Sequence, residues 1–246
     1  LYGQACWHPG FVKNTYGTGC FLMMFSGQQV VESDHGLLTT LACDSNGNPA
    51  YALEGAVFSA GSTIQWLRDE LHLIQTAAET EKIAESIDDT NGVYLVPAFT
   101  GLGAPYWNMS VRAALIGLTR GSGRNEIVRA ALESLAYQTK DLVDLMSEES
   151  QVPIRELRVD GGASQNNFLM QFQADLLDCT VNRPKNIEST VMGAVMLAGK
   201  AIGYWKTETE LEQIRQTDEL FEQIMDHKRA EFLYRGWQDA VRQLLK

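Results

Sequence analysis

Apolar residues near the start of the chain follow the short-run pattern of β-strands. Phe21–Phe25 and Leu37–Ala42 are apolar runs, and the turn-forming sequence Asp44–Pro49 separates the second run from Tyr51–Val57. Short runs bounded by Gly, Asn, Asp and Pro are typical of strands joined by tight turns. The segment Lys13–Glu54 is therefore predicted to form an antiparallel meander.

Further along, the apolar positions take up the period of an α-helix, and helices and strands then alternate. Ser62 is the predicted N-cap of the first helix, whose apolar positions are Ile64, Leu67, Leu71 and Ile74. Later helices are predicted at Asn125–Glu148, Phe168–Leu177 and Val191–Ile202, strands at Ala113–Leu118, Leu157–Val159 and Thr180–Asn182, and one or two surface helices in Leu211–Leu245. This order predicts an α/β fold with a mixed β-sheet covered by helices on both faces, and no linker divides residues 1–246.

The charge and composition of the chain exclude several classes of protein. It has 31 Asp and Glu residues against 20 Lys and Arg residues, a formal net charge of −11 at pH 7. Nucleic-acid-binding proteins carry a basic face and anionic membranes attract basic segments, so neither partner is expected. With 45% hydrophobic residues among 246, the chain can bury a core, which excludes wholesale disorder.

No segment predicts a membrane span, a disulfide framework or a zinc site. The most apolar segment, Val191–Trp205, contains Lys200 and is shorter than the ~20 residues that a spanning helix needs. The four cysteines lie far apart without a CxxC pair, and the four histidines are scattered. Scattered reduced thiols favour a cytoplasmic location.

Two glycines bracket a hydroxyl residue in the sequence Asn14-Thr-Tyr-Gly17-Thr18-Gly19, between two β segments. Glycine lets a backbone approach a ligand closely, and Thr18 offers both an N–H and an O–H to a phosphate oxygen. An ordinary hairpin turn, in which glycine is needed only for a positive φ, explains the same residues. Taken alone, the pattern favours the hairpin.

Two further glycine turns join a predicted strand to a predicted helix. The turn Asp160–Ser164 would present free N–H groups and a helix dipole to an anion, with Asn166 and Asn167 adding amide contacts to a base or ribose. A tight βα connection with Ser164 as N-cap explains it equally well. In Ala60–Gln65, the Gln65 side chain would face whatever occupies the turn, although an exposed helical Gln is usually only solvated.

Considered together, the three turns predict a cleft that holds a phosphorylated nucleotide. Two carboxylates near them are ambiguous. Asp160 could act as a general base, but an Asp that opens a Gly-Gly turn more often binds its own backbone, and Glu54 has no clearer assignment.

With these residues in view, the sequence closely resembles the C-terminal half of the FGGY carbohydrate kinases, and among them those that act on glycerol. The resemblance runs from Leu1 to about Trp237. The segments that carry it are Lys13–Phe21, Tyr51–Phe58, Ile64–Glu70, Val96–Trp107, Leu157–Ala163 and Asn166–Ala174, together with Ala113–Leu118, Glu126–Ile127 and Ala130–Glu133, which match the second signature of the family.

The resemblance implies an actin-like ATPase (ribonuclease H-like) fold, with residues 1–246 as the single C-terminal nucleotide-binding domain of a two-domain kinase. It implies ATP and Mg²⁺ as cofactors. The residues implied to bind ATP are Thr18 at the terminal phosphates, Gly61 and Gln65 along the phosphates and ribose, Gly162 close to the nucleotide and Asn166 at the adenine. Phe21 is implied to pack on the carbon side of glycerol, although a core Phe on a strand explains it too.

The resemblance also places the general base outside this chain. In the family, the carboxylate that takes the proton of glycerol lies in a Gly-Asp-Gln run before the equivalent of Leu1, and most glycerol contacts belong to the N-terminal half. The chain is therefore expected to be a piece of a longer protein, to bind ATP or ADP weakly and to phosphorylate no glycerol alone.

The full-length protein is expected to transfer the ATP γ-phosphoryl group to glycerol, giving sn-glycerol 3-phosphate, and to form a homo-oligomer. Two alternatives stay open: an FGGY kinase for a pentulose or a related polyol, and an actin-like nucleotide-binding module without catalysis.

Overall fold

Nine strands, seven α-helices and two 3₁₀ turns form from the chain, and the computed structural model describes all residues, 1–246. The strands are β1 (Phe11–Tyr16), β2 (Cys20–Gly27), β3 (Leu38–Cys43), β4 (Pro49–Val57), β5 (Tyr94–Val96), β6 (Ala114–Ile116), β7 (Glu156–Asp160), β8 (Thr180–Pro184) and β9 (Thr217–Phe221). The helices are α1 (Gly61–Asp69), α2 (Glu79–Glu85), α3 (Arg124–Ser150), α4 (Asn167–Leu177), α5 (Ser189–Ala201), α6 (Glu208–Glu212) and α7 (His227–Leu244), and the 3₁₀ turns are Tyr2–Gln4 and Gly162–Gln165.

Seven of the strands form one mixed sheet in the order β3-β4-β2-β1-β7-β8-β9, and β5 pairs with β6 in a separate two-stranded ribbon. The direction of pairing changes at β1, which is antiparallel to β2 and parallel to β7. The predicted mixed sheet is confirmed.

Alternate residues of β1 point to opposite sides of this sheet, and helices cover both sides. On one side, Asn14 Nδ2 donates to Thr139 Oγ1 of α3 at 3.3 Å, and the Tyr16 hydroxyl donates to Gln173 Oε1 of α4 at 2.9 Å. On the other side lies the 3₁₀ turn Tyr2–Gln4, packed against α5. The prediction of helices on both faces is therefore confirmed.

The predicted meander is wrong in its strand order, because β4 lies between β2 and β3. A tight turn at Asp44–Asn48 keeps β3 and β4 adjacent, so either strand could have paired with β2. The more apolar β4, with Leu53 and Val57 buried, takes the inner place, and β3 becomes an edge strand with Leu38 and Leu41 exposed. Residues 28–37 are long enough to cross the intervening strand.

Several other boundaries differ from the prediction. Helix α1 ends at Asp69, so Leu71 and Ile74 lie beyond it, and Ser62 is not its N-cap, which is Ala60. The predicted surface helices of the C-terminal segment are α6 and α7, but the strand β9 lies between them, and α7 buries Trp237 completely. Helix α2 and strand β5 were not predicted either. No helix is long and apolar enough to span a bilayer.

The long helix α3 forms the centre of the core and carries a buried carboxylate, Asp141. Three donors reach that carboxylate: the Tyr106 hydroxyl at 3.0 Å, the Trp237 indole Nε1 at 2.9 Å and the Tyr234 hydroxyl at 2.6 Å. They connect α3 to α7 and to the loop that contains Tyr106. Burial raises the pKa of Asp141 to about 6 although the three hydrogen bonds lower it.

This raised pKa predicts a pH dependence of stability. The pKa of Asp141 is about 6 in the folded chain, whereas the ordinary value of 3.8 applies in the unfolded chain. Between these pH values the folded state therefore binds more protons than the unfolded state. The contribution of Asp141 to stability is fully present below pH 3.8 and is lost as the pH rises through 6, by about 3 kcal/mol.

The measurement is urea unfolding of the wild type and of Asp141→Asn, which cannot titrate, at pH values from 4 to 7. We expect the destabilisation caused by Asp141→Asn to be larger at pH 4 than at pH 7. A difference between the two proteins that stays constant across this range would contradict the prediction.

Candidate functional site

A cleft of about 410 Å³ lies where the β1–β2 turn, the start of α1, helix α2 and the 3₁₀ turn Gly162–Gln165 meet. The residues predicted from the sequence to bind ATP all line it: Thr18, Gly61, Gln65, Gly162 and Asn166. The three glycine turns thus open onto one space, as the sequence-based hypothesis requires. Contact of these residues with a nucleotide stays a prediction.

The β1–β2 turn packs directly on the first turn of α1. The Ala60 and Ser62 amides donate to the Thr18 carbonyl at 2.9 and 3.0 Å, and the Gly61 amide donates to the Gly17 carbonyl at 3.0 Å. A Cβ on Gly61 would lie 2.5 Å from the Gly17 carbonyl oxygen. Gly61 is therefore required for the packing of the two turns, and the first amides of α1 are not free to bind an anion.

Thr18 is the exposed residue at the tip of this turn. Its carbonyl accepts the two amides of α1, which fixes the backbone, while its hydroxyl has no partner within the chain. The hydroxyl therefore keeps its donor and its acceptor positions for a ligand in the cleft. Gln65, one helical turn into α1, is likewise exposed, and its amide makes no hydrogen bond within the chain.

The two glycines of the Asp160–Ser164 turn have different roles. Gly161 has a φ of +84°, and a Cβ there would overlap the backbone of Tyr16, so the fold requires glycine. Gly162 has no positive φ, a Cβ added to it would meet no atom within 4 Å, and it faces the cleft. Nothing in the fold explains the glycine at 162, whereas a ligand passing close to the backbone would.

We expect Gly162→Ala to leave the stability of the chain unchanged and to weaken ADP binding by about tenfold or more, since about 1.4 kcal/mol of steric cost already gives that factor. Isothermal titration calorimetry with ADP measures the affinity, and thermal unfolding measures the stability. The matched control is Gly161→Ala, which we expect to destabilise the fold because of its positive φ. Unchanged ADP affinity in a folded Gly162→Ala protein would contradict the prediction.

The prediction that a helix begins directly after this turn is wrong. A 3₁₀ turn intervenes, and α4 begins only at Asn167. Ser164 is not its N-cap, because its hydroxyl donates to the Gly161 carbonyl at 2.6 Å. The N-cap is Asn166, whose Oδ1 accepts from the Leu169 amide at 2.9 Å. The adjacent Asn167 amide donates to Glu81, so this amide at the start of α4 is not free to bind an anion.

Asn166 also connects two elements around the cleft. Its Nδ2 donates to Thr80 Oγ1 of α2 at 3.1 Å, which leaves one N–H of the side-chain amide without a partner. The predicted contact with an adenine base would have to use that remaining donor.

Helix α2 and Arg68 also contribute to the cleft, although neither was predicted from the sequence. Thr80 and Glu81 of α2 line the cleft, as does Arg68, which is paired with Asp69 at 2.6 Å. Arg68 lies three residues after Gln65 on one helix face, and that spacing could have revealed it. Helix α2 gave no comparable signal, because it is a short and largely polar segment.

Phe21, the residue predicted to contact the acceptor, lies outside the cleft. It is the second residue of β2, pairs across the sheet with Thr15, and faces the side away from α3 with 51% of its surface exposed. The exposed ring is not the core residue of the alternative explanation. Its predicted contact with glycerol stays a prediction.

The chain contains no group of three or more His, Cys, Asp or Glu residues that could hold a metal ion. Because Mg²⁺ in phosphoryl-transfer sites is held by one or two carboxylates together with the substrate phosphates, the Mg²⁺ that the resemblance implies stays a prediction, and we assign no step to the ion.

Comparison with known proteins identifies the family of the chain. Residues 12–202 match the family model described as "FGGY family of carbohydrate kinases, C-terminal domain". The chain is 58% identical over 245 residues to a glycerol kinase of Shewanella amazonensis, covering 100% of this chain and 50% of the relative. It is 53% identical over 246 residues to a glycerol kinase of a Thermoanaerobacter species, again covering 50% of the relative. The chain thus spans about half the length of the curated relatives that it matches.

Solved structures show the same fold. A Plasmodium falciparum glycerol kinase with ADP superposes with a TM-score of 0.93 at 38% identity, over 99% of this chain and 49% of that one. A ligand-bound xylulose kinase from Lactobacillus acidophilus superposes with a TM-score of 0.83 at 20% identity, over 98% and 49% of the two chains. The fold is the predicted actin-like ATPase fold. The family match, which covers most of the chain, shows that this protein belongs to the FGGY family of carbohydrate kinases, in the part that forms their C-terminal domain.

Proposed function

We propose that this chain is the nucleotide-binding half of a kinase that transfers the γ-phosphoryl group of ATP to a hydroxyl of glycerol. The observation that carries the proposal is the convergence of three glycine turns on one cleft, with Thr18, Gly61 and Gly162 in its lining. The acceptor is assigned from the relatives, which are named glycerol kinases and are 53–58% identical over essentially the whole chain.

Each residue of the cleft has a role that suits its chemistry. The Thr18 hydroxyl donates to the terminal phosphates from a turn whose backbone α1 holds in place. Gln65 and the remaining N–H of Asn166 bind the ribose and the base, and Gly162 lets the nucleotide lie against the backbone. Phosphoryl transfer depends on positioning and electrostatic stabilisation, so rigid placement of these groups is what this half of the site contributes.

The second half of the site belongs to a separate N-terminal domain in this proposal, and residues 1–246 form one domain of the pair. An exposed apolar face supports this division. Val191 and Val195, one turn apart on α5, are 64% and 48% exposed, and Ile202, just after the helix, is 82% exposed. Large exposed apolar surface marks interfaces between domains or proteins. The isolated chain therefore binds nucleotide weakly and lacks the groups that activate glycerol.

The test compares the 246-residue chain with the full-length protein. Calorimetry with ADP is expected to show binding to both, weaker for the chain alone. A coupled ADP-release assay with glycerol is expected to show turnover only for the full-length protein. A panel of pentuloses and other polyols checks the acceptor, and faster turnover of a pentulose than of glycerol would refute the acceptor assignment. Robust glycerol phosphorylation by the isolated chain would refute the division of the site.

A further inference from the structure

Glu81 of α2 is a carboxylate in the lining of the cleft that no cation of this chain neutralises. The lining contains one cation, Arg68, but its guanidinium donates to Asp69 through two hydrogen bonds of 2.6 and 2.9 Å, and Glu81 forms no ion pair. One oxygen of Glu81, Oε1, accepts from the Asn167 amide at 3.3 Å. The other oxygen, Oε2, accepts no hydrogen bond within the chain, so it can accept one from a ligand in the cleft.

Beside Glu81 lies the one side-chain N–H that Asn166 keeps for a ligand. Asn166 Oδ1 accepts from the Leu169 amide at 2.9 Å, and Nδ2 donates to Thr80 Oγ1 at 3.1 Å, so both ends of the amide are fixed in place. Thr80 immediately precedes Glu81 on α2. The Asn167 amide, which follows Asn166, donates in turn to Glu81. These two contacts place one donor and one acceptor side by side where α2 meets the start of α4.

This donor and acceptor lie at the end of the cleft where the base of a nucleotide is expected. Helix α1 begins at the Thr18 turn, and Gly61, Gln65 and Arg68 line the cleft over roughly 10 Å of its length. A nucleotide with its phosphates at Thr18 therefore extends along α1 towards α2. The apolar part of the lining suits a flat ring, and its residues are Ile64, Ala77, Ala78, Leu132 and Ala163.

A donor beside an acceptor matches the edge of adenine and mismatches the edge of a 6-oxopurine. Adenine has a donor, its 6-amino group, next to the acceptor N1, whereas guanine and hypoxanthine have an acceptor oxygen at position 6 next to an N1–H donor. With adenine, the 6-amino group donates to Glu81 Oε2 and N1 accepts from Asn166 Nδ2. With hypoxanthine, the 6-oxygen would face the carboxylate and N1–H would face the Asn166 N–H, so both hydrogen bonds would be lost.

We propose that Glu81 is the residue that selects a 6-aminopurine nucleotide over 6-oxopurine nucleotides, because its Oε2 accepts from the 6-amino group while Asn166 donates to N1. This inference rests on the proposed function. An ionised carboxylate only accepts hydrogen bonds, so Glu81 cannot reorient to accommodate an oxygen at position 6. The Asn166 N–H alone would not discriminate, since it could donate either to N1 of adenine or to the 6-oxygen of a slightly shifted 6-oxopurine.

The first test is calorimetry of the full-length protein with ADP and with inosine diphosphate, for the wild type and for Glu81→Gln. We expect the wild type to bind ADP about 100-fold more tightly, and this ratio to fall by about tenfold or more in Glu81→Gln. The Asn167 amide favours the glutamine carbonyl as its acceptor, which leaves the glutamine NH₂ group in the cleft to donate to the 6-oxygen. A merely structural role of Glu81 would weaken both nucleotides equally and leave the ratio unchanged.

The matched control is Glu85→Gln, which removes the same charge from an exposed position one turn later on α2 and outside the cleft. We expect this variant to keep the wild-type ratio of the two affinities. A ratio that is the same in Glu81→Gln and in the wild type would overturn the proposal, and so would a wild type that binds the two nucleotides equally.

A second measurement does not depend on the folding of a variant. The wild-type full-length protein is titrated with the diphosphate of unsubstituted purine riboside, which keeps the N1 acceptor of adenine but has no 6-amino group. We expect it to bind about tenfold or more weakly than ADP, the effect of losing one hydrogen bond to a charged group, and equal affinity overturns the proposal. Failure of the wild type to bind ADP at all would instead refute the proposed nucleotide site. Binding of ADP without phosphorylation of glycerol would refute the proposed acceptor and leave the role of Glu81 standing.

Discussion

Replacing Trp237 with Ala is expected to lower the free energy of unfolding by about 3–5 kcal/mol. Trp237 is completely buried in α7 and stacks on Tyr137, with 5.4 Å between the ring centroids. Its indole also donates to Asp141 at 2.9 Å. The variant therefore leaves a large cavity between α7 and α3 and removes one of the three donors of a buried carboxylate.

The two contributions can be separated with Trp237→Phe, which keeps most of the ring volume and the stacking but has no donor. We expect this variant to lose about 1–2 kcal/mol, the cost of one hydrogen bond to a charged group. Guanidinium unfolding followed by circular dichroism measures all three proteins. Equal losses for Phe and Ala at this position would show that packing contributes nothing, contrary to the structure.

The elements predicted correctly from the sequence are those whose signal is local. The core positions of α3, such as Leu135 and Leu142, repeat at helical spacing over many turns, and both are completely buried. Glycine turns are also local signals, and the turns at Gly17, Gly61 and Gly162 meet in one cleft. That the turns share one cleft was predicted from their common ability to approach a phosphate, whereas the assignment of each residue to a part of ATP followed from the family resemblance.

What the sequence did not reveal depends on contacts between distant residues. The place of β4 inside the sheet depends on the relative burial of two strands that have similar local patterns. Helix α2 has seven residues, too few to be stable without tertiary contacts, and its position at the cleft is determined by contacts with α3 and α4. The structural need for glycine at 61 is visible only once Gly17 packs against it.

The contacts that hold α2 centre on Arg129, and Arg129→Met is expected to destabilise the chain by about 3–5 kcal/mol. Arg129 Nε donates to Glu133 at 2.7 Å, and Nη1 donates to the Ala84 carbonyl at 3.0 Å and to the Ile87 carbonyl. The guanidinium also lies 4.8 Å from the centroid of the Phe168 ring. One buried cation thus joins α3 to the end of α2 and to α4.

The expected loss has a specific cause, the charge of Glu133 that remains in the core. Burial already raises the pKa of Glu133, even though Arg129 lowers it, and removal of Arg129 leaves that carboxylate with only the Tyr137 hydroxyl at 3.3 Å. We therefore expect the double variant Arg129→Met with Glu133→Gln to be more stable than Arg129→Met alone.

Urea unfolding of the two single variants and the double variant gives the coupling energy, and calorimetry with ADP gives the effect on the cleft. Because Thr80 and Glu81 of α2 line the cleft, loss of the Arg129 contacts is expected to weaken ADP binding as well as stability. Additive effects of the two substitutions would contradict the buried ion pair. Unchanged ADP affinity in Arg129→Met would show that the position of α2 does not depend on Arg129. In that case α1 and the glycine turns alone would determine the shape of the cleft.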